Sequence, residues 1–227
     1  MKKCIVIIFL CSICLLGCKI DIKTCVLESC SEIRSVVFEA KTNDFRVSYT
    51  SGERENPYYY DGKSQPRCDF GIITLYFSAL QAYIKVPFEI DIDGRVSNGY
   101  LEKNPFNECY MLDLETKVQD SSRIKIKIDE FEYVELQNLS SNWEIDYSEA
   151  IDVGIKELKS DFESLRVKNK LNCECYIKPI TEESYSGSAY FWSFSFINQK
   201  LEKKYVVFDV NSGEMLVKNK TIWQIKI

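Results

Sequence analysis

The sequence contains no histidine among its 227 residues. This absence excludes the Ser-His-Asp and Cys-His catalytic arrangements and a histidine general base near neutral pH. The sequence also has no G-x-S-x-G motif, no glycine-rich phosphate loop and no dinucleotide fingerprint. Carboxylate-pair chemistry stays open, but no motif selects one pair among the 34 acidic residues. We therefore expect a binding protein and not an enzyme.

The N-terminus carries the clearest local pattern. The basic pair Lys2-Lys3 precedes an apolar stretch over residues 4–16, which only Ser12 interrupts. A stretch of this length suits a secretory signal and is too short to span a bilayer as a helix. The alternative is an uncleaved N-terminal helix with chance cysteines. It does not account for a basic start, an apolar core and a Gly17-Cys18 ending in the same segment.

The ending Leu15-Leu16-Gly17-Cys18 resembles the lipobox of bacterial lipoproteins. In such a signal a small residue gives the peptidase access, and the cysteine thiol receives the diacylglycerol. The resemblance implies cleavage before Cys18 and lipidation of that residue. Because each buried methylene contributes about 0.8 kcal/mol, two or more acyl chains anchor a protein stably. The expected location is therefore the bacterial cell envelope, lipid-anchored to a membrane and facing the periplasm or the cell exterior.

The charge balance disfavours nucleic acid as a partner. Cleavage would remove two lysines and no acidic residue, which leaves 27 basic and 34 acidic residues, a net charge of −7. Such a surface repels phosphates, and it disfavours electrostatic adhesion to anionic lipid. The 14 Tyr and 13 Phe residues indicate a folded, β-rich protein and not a disordered tail.

Six cysteines would remain beside the lipidated one. An even number in an oxidising compartment predicts up to three disulfides, with fifteen possible connectivities. Two of the six lie on one face of a predicted strand with Cα atoms roughly 6.6 Å apart, near the upper limit for a bridge, so we expect them to have different partners. A metal site is the alternative, but the paired CxxC spacing of a zinc ribbon is missing, and no metal or cofactor is expected. The candidates are Cys25, Cys30, Cys68, Cys109, Cys173 and Cys175, of which the last two share the strand.

Alternating apolar and polar residues predict strands through most of residues 35–142. Ile124, Ile126 and Ile128 alternate with lysines, for example, as in a half-buried strand. Asp93-Gly94 between two alternating segments predicts a hairpin turn. A calcium loop is the alternative, but it would place Tyr100 where a bidentate acidic ligand belongs.

One helix is predicted after residue 145. Asp146 and Glu149 have the spacing of a capping box, and an apolar stripe follows at steps of four and three. Further strands are expected over 173–177, 190–196, 204–210, 214–217 and 221–227. The stripe consists of Ile151, Ile155, Leu158, Phe162 and Leu165.

The C-terminal segment resembles a PepSY-like domain in two places. Ser148-Glu149-Ala150-Ile151-Asp152-Val153-Gly154-Ile155 is similar to the opening helix of that family. Tyr205-Val206-Val207-Phe208-Asp209-Val210-Asn211-Ser212-Gly213-Glu214-Met215-Leu216 is similar to its strand, glycine turn and return strand. The resemblance implies one helix packed on a small antiparallel sheet, in a non-catalytic module that restrains peptidases or binds other proteins.

These patterns together predict an α+β fold. Residues 1–17 are the signal peptide and residues 18–34 a lipidated tether. Residues 35–142 form an antiparallel β-rich region, and residues 143–227 form the PepSY-like helix and sheet. Whether the two halves are separate domains stays open.

The expected function is binding of another protein from an envelope anchor, for example as an inhibitor or immunity protein of a periplasmic enzyme. Tyr58, Tyr59 and Tyr60 lie in a polar loop and are candidate partner-binding residues, because tyrosine is enriched at interface hot spots. The alternative is that these rings cover the edge of the sheet. The alternative functions are a structural or assembly lipoprotein and a carboxylate-based glycan hydrolase.

Overall fold

The computed structural model describes residues 20–184, 186–187 and 189–222. Strands make up 51% of the structure and helices 14%. The helices are α1 (Ile22–Glu28), α2 (Tyr147–Glu157) and α3 (Lys159–Leu165), with a 3-10 helix at Ser140–Asn142. The strands are β1 (Cys30–Lys41), β2 (Phe45–Glu55), β3 (Arg67–Phe77), β4 (Lys85–Ile92), β5 (Arg95–Lys103), β6 (Tyr110–Leu114), β7 (Ile124–Ile128), β8 (Val134–Asn138), β9 (Arg166–Val167), β10 (Lys170–Leu171), β11 (Cys173–Thr181), β12 (Tyr190–Asn198), β13 (Glu202–Asp209) and β14 (Met215–Ile222).

Eight strands close into an antiparallel barrel. Their order is β1-β2-β3-β6-β5-β4-β7-β8, and β8 pairs back onto β1 at Phe38↔Asn138 and Glu39↔Gln137. Along β2, Val47 and Tyr49 point into the barrel, while Arg46 points outward. A barrel of eight strands has an interior that side chains can fill. Apolar side chains from all eight strands form this core.

A second layer continues from β1. On its other side β1 pairs in parallel with β11, with Cys30↔Cys175 and Ile33↔Ile177 in register, and β12, β13 and β14 extend this sheet in antiparallel order. A register shift lies in β1 between Arg34 and Val36. Ile33 and Val37 pack in the core below the helices, whereas Val36 and Phe38 pack inside the barrel.

The helices α2 and α3 cover the C-terminal sheet. Phe162 of α3 lies 5.8 Å from the ring of Phe194 and 5.2 Å from that of Phe196, measured between ring centroids. The Trp192 indole donates to the Ile145 carbonyl at 2.8 Å, just before α2 begins. This layer has its own apolar core, and β1 contributes to both cores.

The predicted α+β, PepSY-like fold is wrong. The chain is mostly β, and eight strands close into a barrel. The strands after α3 do not form a small separate sheet, because β11 pairs with β1 and joins one 12-stranded sheet. Local alternation is the same in an open sheet and in a closed barrel, so it could not distinguish them.

The predicted domain boundaries stay predictions, although two observations bear on them. Residues 22–28 of the expected tether form α1, and β1 already begins at Cys30. The 12-stranded sheet crosses residue 142, because β1 pairs with strands from both halves. The signal peptide and Cys18 lie outside the described residues.

Several local predictions are confirmed. Asp146 and Glu149 form the capping box at the start of α2. Asp93-Gly94 is the two-residue turn between β4 and β5, and both residues have positive φ angles. The alternating isoleucines form β7. The single helix that the apolar stripe predicted is divided at Leu158 into α2 and α3.

Among the described residues, no helix combines the length and apolar character that crossing a membrane requires.

Gly154 provides a test of the contact between helix and sheet. It lies on the buried face of α2, where an added Cβ would collide with the ring of Phe194. We expect Gly154→Ala to lower the free energy of unfolding by about 1–3 kcal/mol, since the ring is fully buried and has no room to move. Urea denaturation measures the change. Lys156→Ala, at an exposed position of the same helix, should change it by less than about 0.5 kcal/mol. An unchanged Gly154→Ala variant would contradict the close contact.

Candidate binding site

A polar pocket of about 240 Å³ lies outside the barrel. It forms where the outer faces of β1, β2 and β3 meet β11 and the loop between β5 and β6. Strands provide most of its walls, so the pocket is held by backbone pairing. Its polar lining includes Arg34, Arg46, Ser48, Thr50, Thr74, Asn104, Asn107, Lys178 and Glu183.

The alternation of β2 explains why a barrel presents a polar wall here. Phe45, Val47 and Tyr49 fill the interior, so the residues between them must face outward. Those residues include Arg46 and Ser48, which line the pocket. The same period of two that builds the core therefore also builds the pocket.

Arg46 lies at the rim of the pocket. All of its N–H groups are bonded within the protein, so none is free to bind a ligand. The residue is only 1% exposed. Burial acts to lower the pKa of Arg46, but the hydrogen bonds that it donates to Tyr190 and Glu39, together with the negative charge of Glu39, outweigh burial and raise that pKa. Its five N–H donors are committed, at 2.6–3.5 Å, to a carboxylate oxygen of Glu39, the backbone carbonyls of Glu182 and Ser184, and the hydroxyls of Thr181 and Tyr190.

Arg34 is paired with a buried carboxylate. Its Nε donates to Glu32, which is 1% exposed. The Tyr58 hydroxyl donates to the other carboxylate oxygen of Glu32 at 2.5 Å. Burial acts to raise the pKa of Glu32, but the charges of Arg34 and Lys178 and the Tyr58 hydrogen bond outweigh it and hold the pKa below its usual value. Glu32 is therefore a buried anion that orients one wall of the pocket.

Lys178 differs from both arginines. It lines the pocket and is half-buried. Within the part of the chain that the structure describes, its ammonium group has neither a hydrogen bond nor an ion pair. Burial lowers its pKa, while the charge of Glu32 acts in the opposite direction. Its three N–H donors make Lys178 the cation best able to bind an acceptor group of a ligand.

The three tyrosines that were predicted to bind a partner, Tyr58, Tyr59 and Tyr60, have different surroundings. The Tyr58 and Tyr60 hydroxyls lie 3.0 Å apart, and the Tyr60 ring stacks on Tyr176 of β11 at 5.3 Å. Tyr58 and Tyr60 thus lie over the sheet next to Glu32, with Tyr58 half-buried and Tyr60 53% exposed. Tyr59 points outward and is 58% exposed. Partner binding by these residues stays a prediction.

Two buried carboxylates near these rings have opposite pKa shifts. The pKa of Glu32 is lowered, whereas burial raises the pKa of Glu174. Such a divergence characterises acid and base pairs in glycoside hydrolases. However, the two residues are 1% and 0% exposed, so a glycan has no access to this pair.

The six predicted disulfide cysteines are unpaired in the structure. Cys68 is exposed, and Cys25 is buried with its thiol directed at the Asn169 carbonyl. Cys109 lies at the pocket, and burial raises its pKa. The other three, which the fold brings into one core, are Cys30, Cys173 and Cys175. No group of three or more His, Cys, Asp or Glu residues in the described ranges could hold a metal ion.

The sequence interpretation did not single out Arg46, Lys178 or Glu32. Alternation could have identified Arg46 as an outward-facing residue of a strand. It could not have identified the partners, because Arg46 bonds to backbone carbonyls 136 and 138 residues away.

Comparison with known proteins gives no matching family model, no matching curated protein and no matching solved structure. The function is therefore inferred from the geometry of the pocket and from the motif at Gly17-Cys18.

Tyr58→Phe tests whether this ring supports the fold. Loss of the hydroxyl leaves a buried carboxylate oxygen without its donor, so we expect the free energy of unfolding to fall by about 1–3 kcal/mol at neutral pH. The wild-type Glu32 stabilises the fold above pH 4.5, and this contribution is lost as the pH falls through its lowered folded-state pKa. Because the variant raises that pKa toward 4.5, the acid-dependent loss should become smaller.

Denaturant titrations at several pH values measure both effects. Tyr59→Phe is the matched control, since its exposed ring should allow a change below about 0.5 kcal/mol. Equal stabilities of the two variants would favour the view that Tyr58 is free to serve a partner.

Proposed function

We propose that this chain is an envelope-anchored lipoprotein that binds another protein without catalysis, as an inhibitor or immunity protein of a periplasmic enzyme does. The polar pocket is part of its binding surface. The observation that carries this proposal is Lys178, whose ammonium lines a pocket built on strands. The lipobox-like ending at Gly17-Cys18 supports the anchor.

The rigidity of the pocket favours binding. β2 pairs with β3 without interruption from Phe45↔Phe77 to Glu55↔Arg67, so the side chains on this wall have fixed positions. Arg46 fixes the opposite rim through its committed donors. A preorganised site loses little conformational entropy when a partner binds, which raises affinity.

The charges suggest how a partner is recognised. The chain as a whole is acidic, with a formal net charge of −5, and such a surface steers basic proteins toward it. Lys178 adds a local donor for one acceptor group of the partner, and Ser48 and Thr74 add hydroxyls. The arrangement suits one inserted polar side chain.

Lys178→Met tests the role of the pocket, because it keeps the aliphatic stem and removes the charge. We expect the wild-type protein to retain one partner protein in stoichiometric amounts from envelope extract, identified by mass spectrometry. The variant should bind that purified partner at least about tenfold more weakly, since a hydrogen bond to a charged group is lost. Isothermal titration calorimetry measures the affinity.

Lys125→Met is the matched control, because Lys125 is exposed on β7 and does not line the pocket. It should bind like the wild type. If the wild type, Lys178→Met and Lys125→Met bound the partner with equal affinity, the pocket would not be part of the binding surface. If no specific partner were retained, a structural role would be favoured.

Cys18→Ser tests the anchor. Replacing the nucleophilic thiol should abolish incorporation of a tagged palmitate during growth and move the protein out of the membrane fraction, because no acyl chain can attach. Gel fluorescence and fractionation provide the measurement. Cys25→Ser, which changes a nearby cysteine, should retain label and location. Labelling that persists in Cys18→Ser would contradict the lipobox interpretation.

A further inference from the structure

Three cysteines meet where the barrel joins the C-terminal sheet. Cys30 lies at the start of β1, and Cys173 and Cys175 lie at the start of β11. They are 0%, 2% and 0% exposed, respectively. The Cys175 sulfur is 4.0 Å from that of Cys173, and Cys175 is also the residue paired with Cys30 across the strands β11 and β1. Cys175 is therefore the central member of the group.

Backbone register distinguishes the two possible partners of Cys175. Cys30 and Cys175 are directly paired across the parallel strands β1 and β11. Neighbouring strands lie about 4.8 Å apart, within the range of roughly 4.4–6.8 Å that separates the Cα atoms of a disulfide. Cys173 is two residues from Cys175 on one strand, where the separation of roughly 6.6 Å is near the upper limit. The geometry favours Cys30.

We propose that Cys30 and Cys175 form a disulfide across the parallel strand pair that joins the barrel to the C-terminal sheet, and that Cys173 keeps its thiol. In this reaction the two thiols lose two protons and two electrons and form one S–S bond. A small-molecule or protein disulfide accepts them and is reduced to two thiols. Because both thiols are buried in the folded chain, exchange occurs before the core closes.

The proposed bond would act at one structural junction. β1 contacts β11 through only a few paired residues at its N-terminal end, from Cys30 to Ile33. A bond between residues 30 and 175 closes a long loop, and constraint of the unfolded chain grows with loop length. The bond would therefore hold the C-terminal sheet against the barrel more firmly than the short strand pairing does.

Disulfide mapping of the purified protein tests the proposal. The reduced, denatured chain is refolded in a mixture of oxidised and reduced glutathione, alkylated, and digested under denaturing, non-reducing conditions. Mass spectrometry should find the peptide containing Cys30 linked to the peptide containing Cys175. The link should persist in Cys173→Ser and be lost in Cys175→Ser. Complete alkylation of Cys30 in the wild type would overturn the proposal, as would a link that persists in Cys175→Ser and disappears in Cys173→Ser.

Thermal unfolding gives an independent readout. Reduction should lower the Tm of the wild type and of Cys173→Ser by roughly 4–16 °C, the range expected for the loss of one such cross-link. Reduction should leave the Tm of Cys30→Ser unchanged. A wild-type Tm that does not change on reduction would count against the bond. The disulfide mapping of the wild type is a separate test, because it does not depend on whether any variant folds.

Discussion

The backbone of β1 is the constraint on which the rest of the structure depends. This one strand pairs with β2 along one edge and with both β11 and β8 along the other. A register shift lies between Arg34 and Val36, in the part of the strand between the residues that pair with β11 and those that pair with β8. The barrel closes through the second half of β1, and the helix-covered sheet is attached through the first half. Both apolar cores therefore depend on the pairing of one strand.

The buried charges lie beside this junction. Taking a charge out of water costs several kcal/mol unless partners compensate for it. Glu32 is compensated by Arg34 and Tyr58, and Arg46 is compensated by Glu39 and four further acceptors. These bonds leave their side chains little freedom, so the polar pocket has well-defined walls. Lys178 lines the same pocket as Arg34 and Arg46, and in the described part of the chain the fold does not use its N–H donors.

The sequence predicted local structure well because local structure depends on neighbouring residues. The alternating isoleucines correctly predicted β7, and the spacing of Asp146 and Glu149 correctly predicted the start of α2. Closure of the barrel was not predictable in the same way, since it depends on Phe38 pairing with Asn138, a hundred residues later. A helix followed by antiparallel strands fits either fold, which led to the wrong α+β assignment. The tyrosine loop could be recognised from composition, whereas Lys178 became a candidate only when the fold placed it in the same pocket as residues of β2.

The position of β1 in the chain has a consequence for folding during synthesis. Chains emerge from the N-terminus, so β1 is made early, while β8 and β11 follow about a hundred residues or more later. Until then, one edge of β1 carries unpaired amide and carbonyl groups, and such edges readily add strands from other chains. Folding that waits for distant partners is slow. The nascent protein therefore passes through a long interval in which its first strand is exposed to aggregation, and a factor that shields this edge would increase the yield of native protein.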